Sequence, residues 1–205
     1  MSAPMDTDIA VVGAGPAGLH AALAAARGGA SVVLLDEYPE PGGQFYRQLP
    51  TDFEVPDRNR LDPDFTKGDG LLGEVRASGI TLLNEASVWG SFEGGLLEVM
   101  HRRRAISVRA RRIVVATGAI ERPGVFPGWD LPGVMTPGGA QTLVKGQGVL
   151  PGERIVLAGS GPFLLPVART LIQAGRPPVG VFEATHPVDW ARHVLRLWGH
   201  GDRIA

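Results

Sequence analysis

The sequence predicts an α/β protein with a mainly parallel sheet, on three observations. Short runs rich in Val, Ile and Leu recur along the chain, the pattern of strands buried on both faces. Two of these runs lead into glycine turns of nearly the same spelling, Gly13 to Gly18 and Gly159 to Leu164. An Ala- and Leu-rich segment of high helix propensity follows the first turn, and a second apolar run follows that. The composition agrees: 205 residues, 44% hydrophobic and 20% charged, are those of a globular chain, and 29 glycines point to tight turns and close backbone approaches. A net charge of −1 gives no pull toward nucleic acid or an anionic membrane, and the absence of Cys excludes disulfides, iron–sulfur clusters and a redox dithiol on this chain.

Ile9 to Val12 is the first strand, Leu19 to Arg27 the helix, Gly28-Gly29 its stop, and Ser31 to Leu35 the second strand. The turn between strand and helix is Gly13-Ala14-Gly15-Pro16-Ala17-Gly18, and Asp36 stands eighteen residues beyond Gly18. Strand, turn, helix, strand and terminal acid in this order form the dinucleotide-binding unit of a Rossmann-like fold. Gly13 makes the turn, Gly15 admits a pyrophosphate to the backbone, Gly18 lets helix and strand pack closely, and the helix N-terminus faces the phosphates. Asp36 is placed to accept a ribose hydroxyl and to disfavour a 2′-phosphate. The motif alone does not separate FAD from NAD.

Tyr38 to Phe65 reads as a long loop, Thr66 to Ser78 as a glycine-weakened helix, and Ile80 to Leu83 as a short strand. Val88 to Glu93 and Leu96 to Met100 flank Gly94-Gly95 as a hairpin. Arg112 to Ala119 is a strand ending in the small turn Ala116-Thr117-Gly118. Glu121 to Glu153 is dense in Pro and Gly and reads as a hinge with one short helix, capped by Thr136 with Pro137 at its first position. Arg154 to Ala158 is a further strand, followed by Gly159-Ser-Gly161-Pro-Phe-Leu164. Leu164 stands where the third glycine would be and is expected to push the helix off the strand, while Glu183 ends the next strand.

Several residues invite a second reading. Arg102, Arg103, Arg104, Arg109, Arg111 and Arg112 read as the solvated face of a hairpin with Ile106 and Val108 turned inward. His20, in the first turn after the glycine loop, could reach a flavin but reads as a helix-face histidine, and His101, His186, His193 and His200 show no metal spacing. Trp129 reads as packing, and Arg47 as a surface residue or a partner for a carboxylate. Met1 to Asp8 lacks a basic and an apolar leader region, no stretch reaches the length of a membrane span, and a cytoplasmic location is the expectation.

Three segments taken together are more specific than a glycine turn: Asp36-Glu37-Tyr-Pro-Glu-Pro-Gly-Gly43-Gln44-Phe-Tyr-Arg47, the run from Ala116 to Thr136, and Gly138 to Lys145. Through them the chain resembles the FAD-binding larger subunit of the amino-acid and opine dehydrogenases (hydrogen cyanide synthase, octopine/nopaline oxidase, hydroxyproline or proline dehydrogenase). It resembles the pyridine-nucleotide-disulfide reductases and the thioredoxin-reductase branch more distantly.

The resemblance implies a two-dinucleotide Rossmann architecture with a β-meander in its first domain. Residues 1–120 would be the FAD-binding domain, 121–153 the hinge, and 154–205 a partial second dinucleotide-binding unit. It implies FAD contacts from Gly13, Ala14, Gly15, Pro16, Ala17, Gly18, Asp36, Glu37, Gly43, Gln44, Val88 (through its backbone to the adenine), Ala116, Thr117 and Gly118. NAD or another adenine nucleotide is the expectation at Gly159, Gly161 and Glu183. The implied activity is oxidation of an amino acid, opine or other secondary amine, with electrons passed through the flavin to a partner subunit or acceptor. An NAD(P)H-dependent flavin reductase and a truncated, non-catalytic nucleotide-binding module are the alternatives. No catalytic acid, base or nucleophile is assigned. Family members are longer, so the chain resembles the N-terminal portion of such a subunit.

Overall fold

The structure is a computed structural model, and it describes residues 3–49, 63–186 and 188. His193, His200, part of the Tyr38–Phe65 loop and the end of the expected second unit lie outside the described residues. The chain divides into two compact units: residues 1–122 with 145–147, and residues 123–144 with 148–205.

The first unit is built on a six-stranded sheet. Its elements are β1 (Met5–Val12), α1 (Pro16–Arg27), β2 (Val32–Leu35), α2 (Pro63–Ala77), β3 (Thr81–Leu83), β4 (Ala86–Phe92), β5 (Leu96–His101) and β6 (Arg104–Val115). The strand order is β3-β2-β1-β6-β5-β4. β3, β2, β1 and β6 run parallel, whereas β6, β5 and β4 form the antiparallel meander. All four residues of β2 are buried, as expected of a parallel strand covered on both faces.

One apolar cluster joins Leu19, Ala22 and Leu23 of α1 to Val11, Val32 and Leu34 of the sheet and to Leu72 and Val75 of α2. A second joins Ala10, Val33 and Leu35 to Leu97, Val99, Val108 and Ala110 of the meander. The central strands β1 and β2 are thus held by apolar burial on both sides, which is the dominant favourable term in folding.

The structure starts several predicted elements earlier than expected, β1 at Met5, α2 at Pro63 and β4 at Ala86 among them. α1 starts at Pro16 inside the glycine turn, because a proline ring is preset for the first helical position and its missing N–H costs nothing there. β6 begins at Arg104, so most of the arginine-rich segment is strand. Val108 is buried and Ile106 half-buried, while Arg102 and Arg103 form the turn with φ of 46° and 65°.

The second unit contains α3 (Pro137–Gln141), β7 (Val156–Gly159), α4 (Leu164–Gln173) and β8 (Gly180–Glu183). β7 and β8 pair in parallel, and α4 buries Leu164, Val167 and Leu171 against Leu157 of β7. Thr136 caps α3 by accepting the Gly139 N–H at 3.2 Å. The expectation for Leu164 needs correction. The leucine does not push the helix off the strand; α4 begins at Leu164, five residues after Gly159, whereas α1 begins three residues after Gly13. The later start puts the side chain into the core, and its burial stabilises the packing that a glycine would have provided.

Leu34, fully buried at the centre of the first cluster, is the sharpest probe of this packing. Leu34→Ala is expected to destabilise the chain by about 2–5 kcal/mol in chemical denaturation, the usual range for such a truncation. Trp89→Ala, at a side chain 61% exposed, should fall within about 0.5 kcal/mol of the parent.

Candidate functional site

In the first unit β2 lies on one side of β1 and β6 on the other, so chain order reverses at the C-terminal end of β1. In an open α/β sheet this is the crevice where ligands bind. Gly13 to Gly18 leave β1 here, and Ala116 to Gly118 leave β6 beside them.

The three glycines of the turn are there for different physical reasons. Gly13 has φ +102°, and a Cβ on it would overlap the carbonyl of Ala116, with the carbonyl carbon at 2.8 Å. A Cβ on Gly18 would overlap the carbonyl oxygen of Gly13. The fold itself therefore excludes a side chain at both positions. Gly15 has φ −74° and ψ −179°, which any residue adopts, and the nearest atom to its Cβ would be the Gly43 Cα at 3.8 Å, an ordinary contact. The protein does not need a glycine at position 15. The backbone is left bare on the side where α1 begins, and no side chain caps the helix N-terminus. This open cradle with free N–H groups fits a pyrophosphate.

Asp36 holds the turn in place. Its carboxylate accepts the N–H of Ala14 at 2.5 Å and that of Tyr38 at 2.9 Å, and its own backbone bonds Leu83 and Ala86. The side chain is 5% exposed. Burial raises its pKa above the ordinary carboxylate value, against the opposing effects of the two N–H donors and Arg47. Each carboxylate oxygen keeps a lone pair that a ribose hydroxyl can use.

A second loop closes over the turn. Gly42 donates its N–H to Ala14 at 2.8 Å, and a Cβ on Gly43 would lie 2.7 Å from the Gly15 Cα. The Gln44 amide donates to the Ala119 carbonyl at 2.9 Å, tying the Gly-Gly-Gln loop to the turn after β6. Arg47 lies 5.0 Å from the centre of the Tyr38 ring, a cation–π contact, and its charge favours the ionised form of Asp36.

Gly13 to Gly18, Asp36, Gly43, Gln44, Ala116, Thr117 and Gly118 thus come together around one crevice. Glu37 is exposed beside Asp36. Val88 is half-buried against the second core cluster, and it is Ala86, two residues earlier on β4, whose N–H reaches the Asp36 carbonyl. Gly42 and Ala119 were missed in the sequence. The adjacent glycines after Pro41 were a usable signal for the first; nothing marks a carbonyl acceptor such as Ala119.

The second turn is arranged differently. Glu183 accepts the Gly161 N–H at 3.1–3.2 Å and the Thr185 N–H at 2.8 Å. The Thr185 N–H is the main cause of its lowered pKa. Among the described residues no group of three or more His, Cys, Asp or Glu could hold a metal ion, and no helix is long and apolar enough to cross a membrane.

The different roles of the glycines predict different costs. Gly18→Ala and Gly13→Ala should each destabilise the chain by about 2 kcal/mol or more through overpacking and strain. Gly15→Ala should change stability by less than about 1 kcal/mol. Thermal and urea unfolding of the three variants checks this ranking.

The chain is similar to known proteins in sequence and in fold. An opine oxidase subunit of Agrobacterium tumefaciens (strain Ach5) is 41% identical over 186 residues, covering 86% of this chain and 36% of that protein. Hydrogen cyanide synthase subunit HcnB of Pseudomonas aeruginosa is 37% identical over 195 residues, covering 91% of this chain and 40% of that protein. The crystal structure of L-proline dehydrogenase from P. horikoshii superposes with a TM-score of 0.73 at 25% identity, covering 89% of this chain and 37% of that one. The chain therefore spans about two-fifths or less of the length of these relatives. Residues 7–194 match the model of the pyridine nucleotide-disulphide oxidoreductases, and the chain belongs to that family.

Proposed function

We propose that this chain is the dinucleotide-binding part of an FAD-dependent dehydrogenase subunit. The enzyme would oxidise an amino acid, opine or other secondary amine and pass two electrons to a partner subunit or acceptor. The observation that carries the cofactor reading is the bare backbone of Gly15 at the uncapped head of α1: the fold tolerates a side chain there, and its absence leaves the helix N-terminus open to a ligand. The substrate class and the partner subunit rest on likeness to the opine oxidase and hydrogen cyanide synthase subunits.

In this reading residues 1–120 form the FAD-binding domain, 121–153 the hinge and 154–205 a partial second dinucleotide-binding unit. The N–H groups at the start of α1 bind the pyrophosphate, Asp36 accepts from the adenosine ribose, and Gly43 and Thr117-Gly118 leave room for the cofactor along the crevice. Val88 meets the adenine through its backbone, and Glu37 borders the ribose. Gln44 positions its loop through Ala119. The bound flavin supplies the two-electron chemistry, and the protein supplies position and electrostatics. NAD at Gly159, Gly161 and Glu183, which would make the chain an NAD(P)H-dependent flavin reductase, is the second reading. It rests on the repeated glycine spelling alone, and the Glu183 carboxylate on the Gly161 N–H weighs against it.

The test is the visible spectrum of the purified chain with and without added FAD, followed by denaturation and identification of the released nucleotide. Near-equimolar flavin is the expected result; a folded chain that takes up no flavin in FAD excess overturns the reading. Gly15→Ala should weaken FAD binding at least about tenfold, given the loss of one or more charge-assisted hydrogen bonds at roughly 1.5–3 kcal/mol each.

The raised pKa of Asp36 also predicts a pH dependence. FAD affinity should fall as pH drops through that raised value, because protonation removes an acceptor for the ribose. Asp36→Asn should remove this step in a pH titration of binding. In the ligand-free chain the sign is opposite: ionisation of Asp36 lowers stability as pH rises from the ordinary 3.8 through the folded-state value.

A further inference from the structure

The second glycine turn repeats the spelling of the first but none of its three glycine roles. At the position equivalent to Gly13, Gly159 has no left-handed φ, and its Cβ would meet only the Leu164 side chain at an ordinary 3.5 Å. At the position equivalent to Gly15, Gly161 has φ +99° with no atom within 4 Å of a Cβ. Its glycine is explained by backbone conformation, not by the need to leave a ligand space. At the position equivalent to Gly18 stands Leu164, 5% exposed in the core.

Several polar groups of this turn are also internally paired. Asp36 in the first unit takes the N–H of the middle residue, Ala14, and leaves that of Gly15 clear; Glu183 is shifted by one and takes the N–H of Gly161 itself. The amides entering α4 turn inward, Leu165 donating to the Pro162 carbonyl at 3.1 Å and Leu164 to that of Gly161 at 3.5 Å. Ser160 and Thr185 share a hydroxyl hydrogen bond at 2.9 Å, and the Ala184 N–H reaches the Gly159 carbonyl at 2.8 Å. A phosphate arriving at this turn would meet a carboxylate on the N–H that it needs, and two negative groups at hydrogen-bond range repel.

We infer that the second glycine turn is a closed structural turn in which the Glu183 carboxylate occupies the place of a phosphate, so that this unit holds no pyridine dinucleotide there. Electrons leaving a flavin in the first unit then go to an acceptor other than a nicotinamide bound at Gly161. The inference stands whether or not the first site takes FAD, since it concerns residues 159–185 alone.

The experiment is amide NMR on the ¹⁵N-labelled full chain, titrated with NADH to about 1 mM, the upper end of ordinary cofactor and substrate affinities. The expected result is that the Ser160 and Gly161 amides do not move in the parent chain. Glu183→Gln, at an exposed position, should shift the Gly161 amide upfield and speed its hydrogen exchange while the Leu157 and Val167 signals stay in place. Saturable movement of Gly161 with NADH in the parent chain overturns the inference, as does a Gly161 amide unchanged by Glu183→Gln. Shifts confined to Gly13 to Gly18 report on the first site and leave the second turn closed.

Discussion

The backbone of α1 meets the ends of β1 and β6 without room for a single Cβ. Gly18 lies over the Gly13 carbonyl and Gly13 over the Ala116 carbonyl, so three chain segments are locked at the switch point of the sheet. Close packing of this kind resists small shifts, because a side chain of even one carbon cannot be absorbed by backbone. The placement of everything else in the first unit follows from it. α1 is drawn onto the sheet deeply enough to bury Leu19, Ala22 and Leu23, and its N-terminus is left pointing into the crevice between β1 and β6.

Around this lock the polar groups divide into those that hold the turn and those left for a ligand. Asp36 and Gly42 take the donor and the acceptor of Ala14, the residue between the first two glycines, and so fix both its backbone groups. Gln44 ties the loop that faces it by a single bond, to the Ala119 carbonyl. The N–H groups at the head of α1 remain without a side-chain cap. A buried acid that keeps its charge beside such a helix end carries a desolvation penalty, visible in the raised pKa of Asp36. That penalty is tolerable because two N–H donors and Arg47 already favour the ionised form.

The second unit shows how a similar sequence can arrive at a different chemical outcome. At position 164 a leucine stands where the first turn has Gly18, and it packs into the core between helix and strand. The helix then starts two residues later, and the intervening backbone folds back on itself in a turn that Glu183 completes. The parallel β7–β8 pair and the covering helix survive, since they depend on Leu157, Val167 and Leu171 and not on the turn.

The sequence by itself determined the strand–helix–strand order, the glycine turn, the hairpin around Gly94-Gly95 and the Thr136 cap. Each of these is a local pattern: apolar runs bury strands, glycine permits a positive φ, and a threonine oxygen reaches an N–H three residues on. Only the tertiary structure decided which glycines are demanded by the fold and which leave space, because that depends on atoms far along the chain, such as Ala116 for Gly13. It likewise decided that Leu164 packs rather than repels, that Gln44 bonds Ala119, and that β6 runs back to Arg104 against both β1 and β5. These are long-range contacts whose partners carry no mark in the sequence, and the spacing of residues along the chain cannot express how closely two backbones approach in space.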